Sequence, residues 1–214
     1  MKANDDLGHS VSYCETGEMP RNDTFGMRKS FKLGNYTMEV NKNKFVIESG
    51  DVFVCDPVYT GIIRGKPIQL SSGLWSAVKF SSIYDNIGYR EDFCVAVHDS
   101  SMDEFIKLAT NTKRSSLSAK VVSWAGVDTG IVSMFDAKYY GENGDGEAYK
   151  AYSIISKIDK PNPFSVLKHG FIIHSGLGDG TYNVYKPTNQ ISDLECLIID
   201  FNILGVIETL GYKV

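Results

Sequence analysis

From Phe31 onward the chain is a succession of short apolar runs, among them "KFVIE", "DVFVC", "LWSAVKF", "DFCVAVH", "KVVSWAGV", "GIVSMF", "GFIIH", "YNVY" and "LECLIIDF". Each is about four to eight residues long, rich in Val, Ile, Phe and Tyr, and bounded by Gly, Asn, Ser or Asp, which is the signature of strands joined by turns. Two segments break the pattern. "SMDEFIKLATN" places Ser101 three residues before Glu104, the spacing of a capping box, and predicts a helix. "EAYKAYSIISKID" carries Ala148, Ala151, Tyr152, Ile155 and Ile158 along one helical stripe and stops before Pro161 and Pro163. The expected fold is therefore α+β: a predominantly antiparallel β-sheet, sandwich-like or curled, with about two short helices.

A chain of 214 residues that is 43% hydrophobic and 12% aromatic can bury a full core. Residues 1–30 are polar and aperiodic and read as a leader or loop-rich cover, leaving 31–214 as a single β-rich domain. A formal charge of −4 offers no basic field for phosphates, so nucleic acid is not an expected partner. No long apolar run is present to span a membrane, and "MKANDDLGHS" has acids where a signal peptide needs an apolar stretch, so a cytoplasmic protein is expected. Cysteines 14, 55, 94 and 196 are widely spaced and form no Cys-x-x-Cys pair, which predicts reduced thiols.

The chemistry-bearing residues sit at the ends of the runs. In "FVIESGDVFVCDPVY" two apolar runs flank Ser49-Gly50, predicting a tight hairpin, and Asp56 stands at a strand end with Pro57 barring continuation. "WAGVDTGIVSMFD" places Asp128-Thr129-Gly130 after an apolar strand, the form of an aspartic-protease turn. That chemistry needs two such carboxylates and one copy is present, so a β-turn with Gly130 at positive φ is the plainer reading. "HSGLGDGTYNVY" sets three alternating glycines around Asp179, with His174 before them and Tyr182 after. It matches neither a calcium loop nor a dinucleotide fingerprint, and "GENGDGEAY" fails the calcium template because Gly141 occupies its first ligand position. Cys94 and His98 share a face of one strand, a spacing open to nucleophilic chemistry but more typical of core packing.

Taken in order, "ESGDVFVCDPVY", "GVDTGIVSMFDA", "HSGLGDGTYNVY" and "IIDFNIL" resemble an uncharacterised bacterial and phage family, domain of unknown function 4241, over about residues 45–205. The resemblance implies a β-rich fold and no assigned catalytic residue, and leaves open whether the chain is an enzyme. It groups Asp56, Asp128, Asp179 and Asp200, whose convergence would make a metal or amine site. The expected function is a non-catalytic module binding a small molecule or a protein partner, with Asp56, Asp128, His174, Gly178, Asp179, Gly180 and Tyr182 as ligand-binding residues and Tyr182, Tyr185 and Trp124 lining a concavity. The alternatives are a hydrolase holding Mg²⁺ or Mn²⁺ on its aspartates, and a bacterial or phage conflict protein that sequesters an effector.

Overall fold

The apolar runs become strands that occupy two sheets. The computed structural model describes residues 27–59, 65–85, 87–111, 116–141, 145–157, 163–188 and 194–203. Its strands are β1 (Arg28–Lys32), β2 (Thr37–Ile47), β3 (Asp51–Cys55), β4 (Ile68–Gln69), β5 (Gly73–Tyr84), β6 (Gly88–His98), β7 (Ser116–Val127), β8 (Ile131–Asp136), β9 (Phe164–Leu167), β10 (Gly170–His174), β11 (Gly180–Pro187) and β12 (Cys196–Asp200). A seven-stranded sheet runs β1-β7-β11-β12-β6-β5-β2 and a five-stranded sheet runs β4-β3-β8-β10-β9, with antiparallel pairing throughout. The antiparallel sheet structure includes a curled half-barrel. The α+β, β-rich architecture expected from the runs is what forms.

Three α-helices among the described residues cover the outer faces: α1 (Met102–Thr110), α2 (Ala137–Tyr140) and α3 (Glu147–Ile155). The sequence announces α1 and α3; α2 is a single turn too short to carry periodicity. Asp136 starts it by accepting the Lys138 amide at 2.8 Å. Ala148, Ala151 and Ile155 are the buried stripe of α3, while Ile158 and the 142–144 part of the calcium-like stretch lie outside the described residues. The capping box at Ser101 does not form. Its hydroxyl instead accepts the Glu195 amide at 2.9 Å, tying the start of α1 to the approach to β12.

The layers explain why several runs are apolar on both faces. Trp75, Ala77, Cys94 and Ala96 look inward, meeting Val52, Val132, Met134 and Phe171 of the smaller sheet. Their neighbours Val78, Phe80, Phe93 and Val95 look outward and are covered by Phe105 and Ala109 of α1. A strand covered on both sides reads as a continuous apolar run rather than an alternating one. On the far side, Tyr140, Ala148 and Ala151 cover Cys55, Phe135 and Ile172. Strand β1 begins at Arg28, so the sheet starts before residue 31; residues 1–26 lie outside the described residues.

The Ser49-Gly50 hairpin is corrected by the topology. Strand β2 pairs with β5 in the larger sheet and β3 with β4 and β8 in the smaller, so the turn between them carries the chain from one sheet to the other. Asp136, fully buried, holds this turn: its carboxylate accepts the Glu48 and Ser49 amides at 2.5 and 2.8 Å and the Ser49 hydroxyl at 2.7 Å. Apolar alternation marks two strands and a turn but carries no information on whether the strands pair.

Candidate functional site

Two of the other connections between the sheets lie side by side. Residues 128–130 join β7 to β8, and residues 175–179 join β10 to β11. The Ser175 amide donates to the Gly130 carbonyl at 3.0 Å, and the Gly130 amide donates to Asp179 Oδ1 at 3.0 Å. Gly130 has φ 68°, so the turn foreseen at Asp128-Thr129-Gly130 takes the left-handed glycine it requires.

Asp56 anchors the pair from below. It directly follows β3 and is fully buried. Its Oδ2 accepts the Asp128 amide, the Thr129 amide and the Thr129 hydroxyl, each at 2.8 Å, and its Oδ1 accepts the Val58 amide at 2.8 Å. Asp56 is thus both an Asx-turn residue and the seat of the neighbouring crossover. With both oxygens committed to internal donors, it shapes the site without facing a ligand.

Tyr182 also has an internal role. It is buried, packs edge-on against Phe201, and donates its hydroxyl to the Gly178 carbonyl at 2.6 Å, where Ser175 Oγ donates too. Burial, the largest cause, pushes its phenol up to about 12. Gly176, at φ 73°, lets this turn settle on the larger sheet, since a Cβ there would lie 2.6 Å from the Glu91 carbonyl oxygen. The expected aromatic lining does not assemble: Tyr185 belongs to the outer core beneath α1, and Trp124 is one residue out of step with the inward-facing Ala125.

What the crossovers leave at the surface is acidic. Asp128 and Asp179 are both exposed, and His174 is half-buried beside them. The Asp179 carboxyl is raised, by burial first, then by the charge of Asp128, outweighing the Gly130 hydrogen bond, with Asp56 adding to the rise. Tyr59, exposed, hydrogen-bonds Asp128, and its phenol is raised chiefly by that carboxylate's charge. Among the described residues no Lys or Arg forms an ion pair with Asp56, Asp128 or Asp179. Comparison with protein-family models, with curated proteins and with solved structures finds no match.

Of the residues singled out in the sequence, Asp56, Asp128, His174, Gly178, Asp179, Gly180 and Tyr182 therefore belong to one corner of the molecule. Asp200 does not join them. It ends β12, is paired with Lys29 at 2.6 Å, and acts on Tyr36 and Asp92. Among the described residues no group of three or more His, Cys, Asp or Glu side chains is arranged to hold a metal ion. Cys94 is core: burial pushes its thiol up, away from the thiolate that nucleophilic chemistry needs, and His98 engages Ser100 Oγ at 2.7 Å. Sequence reasoning missed Tyr59, the buried Glu91 behind His174, and Asp136. The signal for Asp136 was available, since Phe-Asp at a strand end repeats the placement of Asp56.

Proposed function

We propose that the protein is a non-catalytic binding module whose binding face is the acidic corner built by the 128–130 and 175–179 crossovers. The observation that supports the reading is that Asp128 and Asp179 stand exposed on two interlocked turns whose backbone is held from inside by Asp56, Ser175 and Tyr182. Pre-organised turns at the ends of paired interior strands are where recognition costs least ordering entropy. The two expected roles divide accordingly: Asp128, Asp179 and His174 face the ligand, while Asp56, Gly178, Gly180 and Tyr182 hold the frame. Kinship with domain of unknown function 4241 is part of the proposal and rests on the order of the four motifs.

The test is a ligand screen read by amide chemical shifts. Binders are expected to move the Gly130, Gly178 and Gly180 amides while leaving Gly88, at the start of β6, in place. A screen whose binders move only amides remote from the corner, or none at all, overturns the reading.

A further inference from the structure

At the end of the smaller sheet away from the acidic corner, a buried histidine stands between two acids. His169 lies in the turn between β9 and β10, is 3% exposed, and is fixed through its backbone, whose carbonyl accepts the Asp136 amide at 2.9 Å. Its Nδ1 is 2.8 Å from Glu147 Oε1 of α3, and its Nε2 is 3.4 Å from Glu48 Oε1 in the turn between β2 and β3. The ring stacks on Tyr139 of α2 at 3.6 Å between centroids. Three separate elements therefore meet on one imidazole. The other titratable groups at this end are Tyr139 and Lys138, bound to Glu48 at 2.5 and 3.1 Å, Asp136, whose oxygens receive the Glu48, Ser49 and Lys138 amides, and Lys168, the neighbour of His169 in its turn.

An ionised carboxylate only accepts hydrogen bonds, so each of the two contacts needs a proton on the nitrogen that faces it; a neutral imidazole carries one N–H and an imidazolium two. Glu48 stays an acceptor throughout the range in which histidines titrate, because hydrogen bonds from Tyr139 first and Lys138 second pull its carboxyl down to about 2. In the neutral ring the closer Glu147 keeps the proton, and the buried Nε2, which has no hydrogen-bond partner, turns a lone pair toward the Glu48 carboxylate. We propose that His169 is a proton-operated clasp on α3: its imidazolium ties Glu147 of α3 to Glu48 of the β2–β3 turn, and loss of the Nε2 proton to solvent releases the Glu48 side. Taking the cation out of water costs free energy, and the flanking carboxylates and the Tyr139 face offset it. The clasp contributes fully where the ring is protonated, and its contribution is lost as pH rises through the titration of the ring. Since α3 covers Cys55, Phe135 and Ile172, the ring sets how readily that side of the core opens.

The experiment follows the full chain from about pH 5 to about pH 9, reading the ring-nitrogen chemical shifts of His169 and the hydrogen exchange of backbone amides. Protection of the Ala151 and Ile155 amides of α3 is taken relative to Ile198 of β12, so that a change shared by the whole fold cancels. This relative protection is expected to fall about fivefold in step with loss of the ring proton, the scale of one partly screened ion pair. Glu48→Gln offers an amide that accepts from a protonated Nε2 and donates to a bare one, so the fall should shrink below about twofold with the fold retained. His169→Gln should remove the pH step and leave α3 at the alkaline level of the parent; should that variant fail to fold, Glu48→Gln decides alone. Relative protection that stays flat while the ring titrates overturns the clasp, as do ring nitrogens that report a neutral imidazole throughout, or a fall of the parent's size that persists in Glu48→Gln.

Discussion

At the scale of single residues the acidic corner shows opposed demands. The folded Asp179 carboxyl is raised above its ordinary value by burial and by Asp128, so ionising it disfavours the fold; its protonated form contributes stability at low pH that is lost as pH rises through its folded value. Asp179→Asn keeps an oxygen for the Gly130 amide and removes the charge. It is expected to raise the midpoint of thermal unfolding at neutral pH slightly, with the gain held below about 0.5 kcal/mol because the side chain is exposed and screened. The same substitution should cost binding. A residue whose removal stabilises the fold while weakening recognition is held there by recognition. Much of this residue set was legible in advance: Asp56 stands beside Pro57, Asp179 between Gly178 and Gly180, and Asp128 two residues before Gly130, each at a strand end or in a turn where a carboxylate has backbone amides to serve. Their division into one buried residue and two exposed ones was not legible, since burial is settled by which strands stack over them.

At the scale of elements, the strands were readable and their partners were not. The alternation in "KFVIESGDVFVC" holds equally for a hairpin and for a crossover between sheets, and the contacts that hold the crossover, Asp136 on the turn amides and the β2–β5 pairing, come from residues distant in sequence. Its role predicts a large effect. Asp136→Ala leaves the Glu48 and Ser49 amides and the Ser49 hydroxyl without their acceptor and should lower unfolding free energy by about 3–5 kcal/mol, measured by urea denaturation. Burial alone would raise the Asp136 carboxyl, but hydrogen bonds from Ser49, Lys138 and Glu48 outweigh it and the net shift is downward. Its stabilisation is accordingly present at neutral pH and lost as pH falls through the folded value. Nearby, His169 stacks on Tyr139 at 3.6 Å and meets Glu147 of α3 at 2.8 Å, fastening α3 to the same end of the sandwich. The helix stripe in the sequence gave the burial of α3 but not this tie, because nothing local relates His169 to Glu147.

At the scale of the whole molecule, the both-faces-apolar runs reflect the succession of helix, larger sheet, smaller sheet and helices, and the inner core follows from them. The polar groups buried at the margins of the sheets follow less directly. Asp92, beside the irregularity in the β5–β6 pairing, has its carboxyl raised to about 6, chiefly by burial, which outweighs hydrogen bonds from Tyr84 and Ser82, with Asp200 and Glu91 adding to the rise. Its protonated form stabilises the fold fully below about pH 4, and that contribution is lost as pH climbs through about 6. Between those limits Asp92→Asn should flatten the stability profile relative to the parent by roughly 2–3 kcal/mol, read from denaturation midpoints at a series of pH values.

Asp56 and Asp136 stand at opposite ends of the smaller sheet and perform the same act: each accepts two consecutive turn amides and the hydroxyl of the second turn residue, and each also accepts the amide two residues beyond itself. Turn amides ordinarily trade their hydrogens with solvent quickly, because local opening there is easy. Here the amides of Glu48, Ser49, Asp128 and Thr129 are expected to exchange about as slowly as those of central β8, and Asp136→Asn or Asp56→Asn should release only the two at its own end. The corners would then behave in time as part of the sheet, and the slowest-opening unit of the molecule would include the very turns that present Asp128 to the outside.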